Sequence, residues 1–100
     1  MWLWNEHPQT RGMFFLVHNN APTKVQASQL KAMGMVAGVS DTVLLWQGKA
    51  YLIEFKVAKG RQSEVQKDWQ RKVEAHGFEY RIIRSLEEFK EFIQQVIWKE

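Results

Sequence analysis

The chain has 100 residues, no cysteine and a formal net charge of +3, and 45% of its residues are hydrophobic. This length suits one domain, and the hydrophobic fraction is too high for a disordered segment. No apolar run could span a bilayer, the first residues show no signal-peptide pattern, and the absence of cysteine excludes disulfides and thiolate metal sites. We therefore expect a single domain over residues 1–100 in a reducing compartment, the cytoplasm.

The N-terminal part predicts a helix, a strand and a second helix. The first eight residues favour a short helix that ends at Pro8. Residues 13–18 are almost continuously apolar, which is typical of a strand covered on both faces. A helix is predicted from about Lys24 to Met33, because a capping-box pattern stands at its start and a glycine follows its end.

The most informative stretch is a pair of strand-like runs over 42–46 and 50–55. A two-residue turn between them places Asp41 directly opposite Glu54, on the same face of the sheet. Because side chains alternate along a strand, Lys56 lies on that face as well. A three-residue turn would remove this direct pairing. The other side chains of both runs are apolar on both faces, which favours a hairpin inside a layered domain.

The C-terminal part predicts a helix, a strand and a last helix. Capping boxes begin at Ser63 and at Ser85, Gly77 ends the first of these helices, and residues 78–83 have the pattern of a strand. The apolar stripes of the two helices are Val65, Trp69 and Val73, and then Leu86, Phe89, Ile93 and Val96. Strands interspersed with helices predict an α/β domain with a small mixed β-sheet flanked by helices.

Asp41, Glu54 and Lys56 are the residues whose arrangement carries chemistry. Two carboxylates side by side in an apolar setting repel each other and lose solvation, so that the pair is costly without a cation. Oxygen ligands in such a pair suit Mg²⁺, which keeps several waters and binds phosphate. A lysine on the same face can orient water or stabilise charge on phosphoryl oxygens, which is consistent with phosphodiester hydrolysis. The alternative is a solvated ion pair without function.

Three segments in this order carry a resemblance to a known family: Gly38-Val39-Ser40-Asp41, Ile53-Glu54-Phe55-Lys56, and the run from Gly60 to Trp69. They resemble the virus-type replication-repair nuclease family (VRR-NUC), a branch of the PD-(D/E)xK nuclease superfamily, from about Asn19 to Ser85. The resemblance implies a restriction-endonuclease-like fold and a metal-dependent nuclease. Stand-alone members are similar to Holliday-junction resolvases and act as homodimers, which implies branched DNA as substrate, a role in DNA repair and a phage-like origin.

The same resemblance assigns roles to residues of this chain. Asp41 and Glu54 would hold Mg²⁺ or Mn²⁺ with the main-chain carbonyl of Phe55. Lys56 would be the catalytic lysine. Gln66 matches a glutamine that lies near the site in the family, and it is equally well explained as half of the capping box that begins at residue 63.

Two departures from the family pattern concern the site. Ser40 stands where the family usually has proline, which changes the stiffness of the loop and removes no ligand. Family members usually carry a glutamate on a longer first helix, and the only acid before Asp41 in this chain is Glu6. Glu6 is therefore either a displaced third metal ligand or a surface residue, and no spacing argument places it at the site.

Basic residues outnumber acidic ones between Lys49 and Lys72, which favours a polyanion such as DNA as partner and is also typical of a solvated helix face. The predicted DNA contacts are Lys24, Lys31, Lys59, Arg61, Lys67, His18 and Asn19. The candidates for a contact between subunits are Trp2, Trp4 and Trp98.

Three other functions remain open from the sequence. The first is a protein of nuclease fold that holds DNA or a repair partner and cleaves weakly. The second is a nuclease that uses the same metal site on single strands or RNA. The third is a purely structural protein, which would require the carboxylates of Asp41 and Glu54 to lie too far apart to share an ion.

Overall fold

The protein is described by a computed structural model that covers residues 1–17 and 39–97. Its elements in chain order are α1 (Trp2–Glu6), a 3₁₀ turn (Pro8–Thr10), β1 (Phe14–Leu16), β2 (Thr42–Trp46), β3 (Lys49–Phe55), α2 (Glu64–Ala75), β4 (Glu79–Ile83) and α3 (Leu86–Ile97). The helix predicted from Lys24 to Met33 lies outside the described residues.

The four strands of the described ranges form one sheet in the order β1-β2-β3-β4. The first three strands pair antiparallel, and β4 pairs parallel to β3, so the sheet is mixed as predicted. A parallel pair needs a crossover between its strands, and α2 supplies that crossover. The architecture is therefore the predicted α/β domain with a small mixed sheet and flanking helices.

The β2–β3 hairpin has the predicted two-residue turn. Trp46 pairs with Lys49 at the turn, and Thr42 pairs with Ile53 at the far end. The turn residues Gln47 and Gly48 both have positive φ, 49° and 78°. Positive φ at both central positions is the signature of a type I′ turn, whose twist matches that of the strands. Continuing this register by one residue brings Asp41 opposite Glu54, so this prediction is confirmed.

The core lies between one face of the sheet and α3. It consists of Leu3, Leu44, Ile53, Ile83, Phe89, Phe92, Ile93 and Ile97. The stripe predicted for α3 is wrong at Leu86, which is 55% exposed. Val96 is half-buried and packs against the core, and Phe92 and Ile97, which the stripe did not include, are buried. Leu86 is the first residue of the helix and remains largely open to solvent, so the residues that contact the sheet come from later turns.

Two other burial predictions need correction. β1 is an edge strand of the described sheet, and Leu16 is 79% exposed, so this strand is not covered on both faces. Val65, predicted as part of the apolar stripe of α2, is 49% exposed. α2 contacts the sheet through its middle, where the Trp69 ring meets the Tyr80 ring edge-on at a centroid distance of 6.0 Å. The first turn of α2 therefore projects into solvent.

The N-terminal segment follows the prediction: α1 ends at Glu6, and Pro8 opens the 3₁₀ turn. Trp2 packs on the core helix, with its ring 6.1 Å from the Phe89 ring, while Trp4 is exposed. Trp98 lies outside the described residues. Within residues 1–17 and 39–97, no helix is both long enough and apolar enough to cross a membrane.

Candidate active site

The acidic pair lies at the open end of the β2–β3 hairpin. Asp41 immediately precedes β2, and Glu54 is the second-last residue of β3. The Phe55 main-chain N–H donates a hydrogen bond of 3.0 Å to Asp41 Oδ2, and the Val17 N–H donates one of 2.8 Å to the Asp41 main-chain carbonyl. Asp41 is thus held from both neighbouring strands, with its carboxylate turned towards the end of β3.

Glu54 is a buried carboxyl, with 2% of its surface exposed. Its pKa is raised from 4.5 to about 7, first by burial, then by a side-chain hydrogen bond with Asp41 and by the negative charge of Asp41. The positive charge of Lys56 opposes this rise of the Glu54 pKa. The hydrogen bond between the two carboxyls brings them into contact, which contradicts the purely structural interpretation that needs them far apart.

One oxygen of Glu54 points to the chemistry of this pair. Glu54 Oε1 is buried, and it has no hydrogen-bond partner among the described residues. A buried carboxylate oxygen without a partner is costly, and a cation relieves that cost. Two carboxylates together with the Phe55 carbonyl are the hard oxygen donors that Mg²⁺ or Mn²⁺ prefers. The residues present therefore fit a divalent metal ion.

A third acidic or histidine ligand does not complete the pair within the described ranges, where no group of three or more such residues clusters. Glu6 is exposed at the last position of α1 and does not form such a group with Asp41 and Glu54. A metal ion at this pair would therefore keep several water ligands, which is the usual situation of Mg²⁺ at sites that also bind phosphate.

Lys56 is fixed beside the pair by the end of the parallel ladder. Its main-chain N–H donates a hydrogen bond of 3.0 Å to the Ile83 carbonyl, just past the last β3–β4 pair. Its side chain is half-buried, and its charge acts on the carboxyl of Glu54. The structure thus brings Asp41, Glu54 and Lys56 together, as the hairpin register predicts.

Two buried hydroxyl groups hold the end of the hairpin in register. Ser40 Oγ donates to the Thr42 carbonyl at 3.1 Å, and Thr42 Oγ1 donates across the hairpin to the Ile53 carbonyl at 2.9 Å. Because both hydroxyls are fully buried, each of these bonds is costly to lose. Ser40 thus fixes the backbone directly before Asp41 by hydrogen bonding to β2.

Gln66 forms the predicted capping box of α2. The Ser63 N–H donates to Gln66 Oε1 at 2.9 Å, and the Gln66 N–H donates to Ser63 Oγ at 3.2 Å. A role of Gln66 at the acidic pair stays a prediction.

Tyr80 is a residue of this region that the sequence analysis missed. It is buried on β4, on the face that carries Glu54, because Leu52 pairs with Tyr80 and Glu54 with Ile82. Gln62 Nε2 donates to Tyr80 Oη at 3.2 Å and to Gln70 Oε1 at 2.9 Å. Burial raises the pKa of Tyr80, and the charges of Glu54 and Asp41 add to that rise. The alternation of the strand would have placed Tyr80 on this face once the parallel register was known.

The predicted DNA contacts are only partly within the described ranges. Lys59 and Arg61 are exposed just after Lys56. Lys67 is paired with Glu64 at 3.5 Å on the surface of α2, a contact that is worth little and leaves its ammonium accessible. His18, Asn19, Lys24 and Lys31 lie outside the described residues.

Comparisons with known proteins bear on the fold. No protein-family model matches the sequence, and no curated protein matches it. A solved structure described as a "VRR_NUC domain protein" superimposes with a TM-score of 0.69 at 19% sequence identity, over 89% of this chain and 70% of that chain. The fold is VRR-NUC-like. This likeness confirms the fold expected from the sequence motifs.

Proposed function

We propose that this protein is a metal-dependent nuclease that hydrolyses phosphodiester bonds in DNA. The single observation that carries the proposal is the contact of the buried Glu54 carboxyl with the exposed Asp41, in which Glu54 Oε1 has no partner among the described residues and Lys56 stands beside the pair. Such a pair is costly for folding without a cation, and the VRR-NUC-like fold supports a role of that cation in phosphodiester hydrolysis.

Each residue has a separate task in this proposal. Asp41 and Glu54, with the Phe55 carbonyl, hold Mg²⁺ or Mn²⁺. The bound ion would supply an activated water and offset the charge of the leaving oxygen. Lys56 orients the attacking water and stabilises the negative charge that develops on the phosphoryl oxygens. Gln66, at the start of α2, is the residue that the family resemblance assigns to the neighbourhood of the metal site.

The proposed substrate is branched DNA, such as a four-way junction, cut by a homodimer in DNA repair in the cytoplasm of a bacterial or phage-infected cell. The residues that the structure describes hold the Asp41–Glu54 pair once in each chain, and two symmetric cuts in a junction need two such sites. The exposed cations Lys59 and Arg61, next to Lys56, support contact with the phosphate backbone, and Lys67, His18, Asn19, Lys24 and Lys31 extend it. The assignment of Glu6 as a displaced third metal ligand stays a prediction from the family pattern.

The test compares three end-labelled DNAs, a four-way junction, a linear duplex and a single strand, with Mg²⁺, with Mn²⁺ and with EDTA. We expect metal-dependent, symmetric cuts in the junction that are lost in Glu54→Ala and kept in Glu91→Ala, a matched change of an exposed glutamate on α3. Cleavage that persists in Glu54→Ala would contradict the assigned site. If the protein prefers the single strand, or an RNA of the same sequence, the proposed substrate is wrong and the proposed catalytic residues stand.

Metal binding can be measured without any substrate. Mn²⁺ at about 100 times its dissociation constant should raise the free energy of unfolding by about 2.7 kcal/mol. We expect the corresponding rise of Tm in the wild type and in Glu91→Ala, and none in Glu54→Ala.

A second candidate function is a protein that binds DNA or a repair partner without cutting. It is favoured by one observation, that no third acidic or histidine residue of the described ranges joins Asp41 and Glu54. Metal-dependent binding of the junction without cleavage would establish this function in place of the nuclease.

A further inference from the structure

A guanidinium at the end of β4 closes the turn that follows Lys56. Arg84 is the first residue after β4. Its Nη1 donates to three main-chain carbonyls of one turn, those of Val57 at 3.0 Å, Ala58 at 3.5 Å and Gly60 at 2.6 Å. A turn that directs three carbonyls at one nitrogen is organised around that cation.

The turn itself is tight and has little freedom to adopt another shape. The Gly60 N–H donates to the Val57 carbonyl at 2.9 Å, which closes a four-residue turn. A Cβ atom at position 60 would lie 3.2 Å from Val57 Cγ2 and 3.3 Å from the Val57 carbonyl oxygen. Residues 57–60 are therefore closed by their own hydrogen bond and held from outside by Arg84.

Arg84 is itself fixed by rigid elements on its other side. Its main-chain N–H donates to Glu88 Oε2 at 3.0 Å, in the first turn of α3. The preceding residue, Ile83, is buried in the core, and its carbonyl accepts a hydrogen bond from the Lys56 main-chain N–H. The main chain at Arg84 is thus fixed between the sheet and α3, and the guanidinium that extends from it holds the turn.

The turn connects the residues that the proposed function uses. Lys56 directly precedes it, Lys59 lies within it, and Arg61 directly follows it. We propose that Arg84 is a positioning residue for the proposed nuclease: it holds the turn so that the Lys56 side chain stays beside the acidic pair and Lys59 and Arg61 face the phosphate backbone. This inference rests on the proposed function.

The closing experiment compares Arg84→Gln with Arg81→Gln. Both variants lose one positive charge at β4. The Arg84 guanidinium bonds the turn, whereas the Arg81 guanidinium bonds Glu79 and lies over the Phe92 ring. In single-turnover cleavage of the preferred DNA, we expect Arg84→Gln to be slower by about 10- to 100-fold, because small misplacement of a catalytic group has effects of that size. Mn²⁺ affinity, measured by titration calorimetry, should stay within about twofold of the wild type, since Arg84 is not one of the proposed metal ligands. Arg81→Gln should remain close to the wild type in both measurements.

A second measurement follows the turn without any activity. Lys56, Lys59 and Arg61 are trypsin sites in and beside the turn, so release of the turn exposes them to trypsin. We expect mass spectrometry to find fragments that end at these residues earlier in Arg84→Gln than in the wild type or Arg81→Gln. Arg84→Lys, which keeps the charge but lacks the planar set of donors, is the second variant if Arg84→Gln does not fold.

The outcomes separate this inference from the proposed function. If the wild type cleaves no nucleic acid, the nuclease proposal fails, and trypsin sensitivity together with DNA affinity then decides the role of Arg84. If the wild type cleaves and the two variants cleave equally well, the inference is wrong. Slower cleavage without faster proteolysis of the turn also overturns it, because Arg84 would then contact the phosphates directly.

Discussion

At the scale of single residues, Glu54 determines how the metal-free protein responds to pH. Its carboxyl has a pKa of about 7 in the folded chain and 4.5 as the reference value, mainly because it is buried. Between these two values the folded protein therefore binds more protons at this site than the unfolded chain does. The free energy of unfolding consequently decreases as the pH rises through this window.

We predict that the metal-free protein loses up to about 3 kcal/mol of stability at this residue between about pH 4.5 and pH 8. Urea unfolding in EDTA across this pH range measures the loss. Glu54→Gln keeps the shape of the side chain and removes its charge. Its free energy of unfolding should change less with pH than that of the wild type, and it should be the more stable protein at pH 8. The two proteins share every other titratable group, so the difference between them isolates residue 54. Parallel profiles would mean that Glu54 is not the group that titrates.

At the scale of elements, the β2–β3 hairpin sets the geometry of the site. Its turn fixes the register, and the register puts Asp41 opposite Glu54. Gly48 has a φ of 78°, and a Cβ there would contact nothing within 4 Å. The cost of a side chain at this position is therefore one of backbone conformation alone.

We predict that Gly48→Ala lowers the free energy of unfolding by about 1–2 kcal/mol, because a residue with a Cβ is strained in the left-handed region. Equilibrium unfolding in urea measures this change. Gln47→Asn is the control, since asparagine is favoured at the first central position of a type I′ turn, and it should be neutral or stabilising. If Gly48→Ala is as stable as the wild type, the hairpin can adopt another type of turn, and the turn then sets the β2–β3 register less firmly.

The sequence also identifies elements well where the signal is local. The capping box of Ser63 and Gln66 marks the start of α2, and the glycine in the left-handed region after it, Gly77, marks its end. The pairing of Asp41 with Glu54 follows from counting along the hairpin. By contrast, Tyr80 and Arg84 were not found, because their roles depend on which strand runs parallel to β3.

At the scale of the whole molecule, stability depends on the contact between α3 and one face of the sheet. Ile97 is 4% exposed in this contact, whereas Leu86, at the other end of the same helix, is 55% exposed. The two residues are about three helical turns apart and so lie on the same side of the helix. Only the position of the helix on the sheet distinguishes them.

We predict that Ile97→Ala lowers the free energy of unfolding by about 2–4 kcal/mol, since it removes buried methyl groups and leaves a cavity. Leu86→Ala, a change of similar size at an exposed position, should stay within about 0.5 kcal/mol of the wild type. Thermal and urea unfolding of the two variants side by side measure the difference. Equal losses would mean that Leu86 is covered in solution, for example by a second copy of the chain.

The sequence by itself determined the elements of residues 39–97, the turn and register of the hairpin, and the three residues 41, 54 and 56 that meet at its open end. These features depend on neighbours along the chain or across a two-residue turn, so periodicity and capping patterns are enough to find them. The tertiary structure decided which apolar side chains are buried, how far burial raises the Glu54 pKa, and that Arg84 holds the turn after Lys56. Burial and long-range hydrogen bonds depend on the packing of elements that are distant in sequence, and no local pattern specifies that packing.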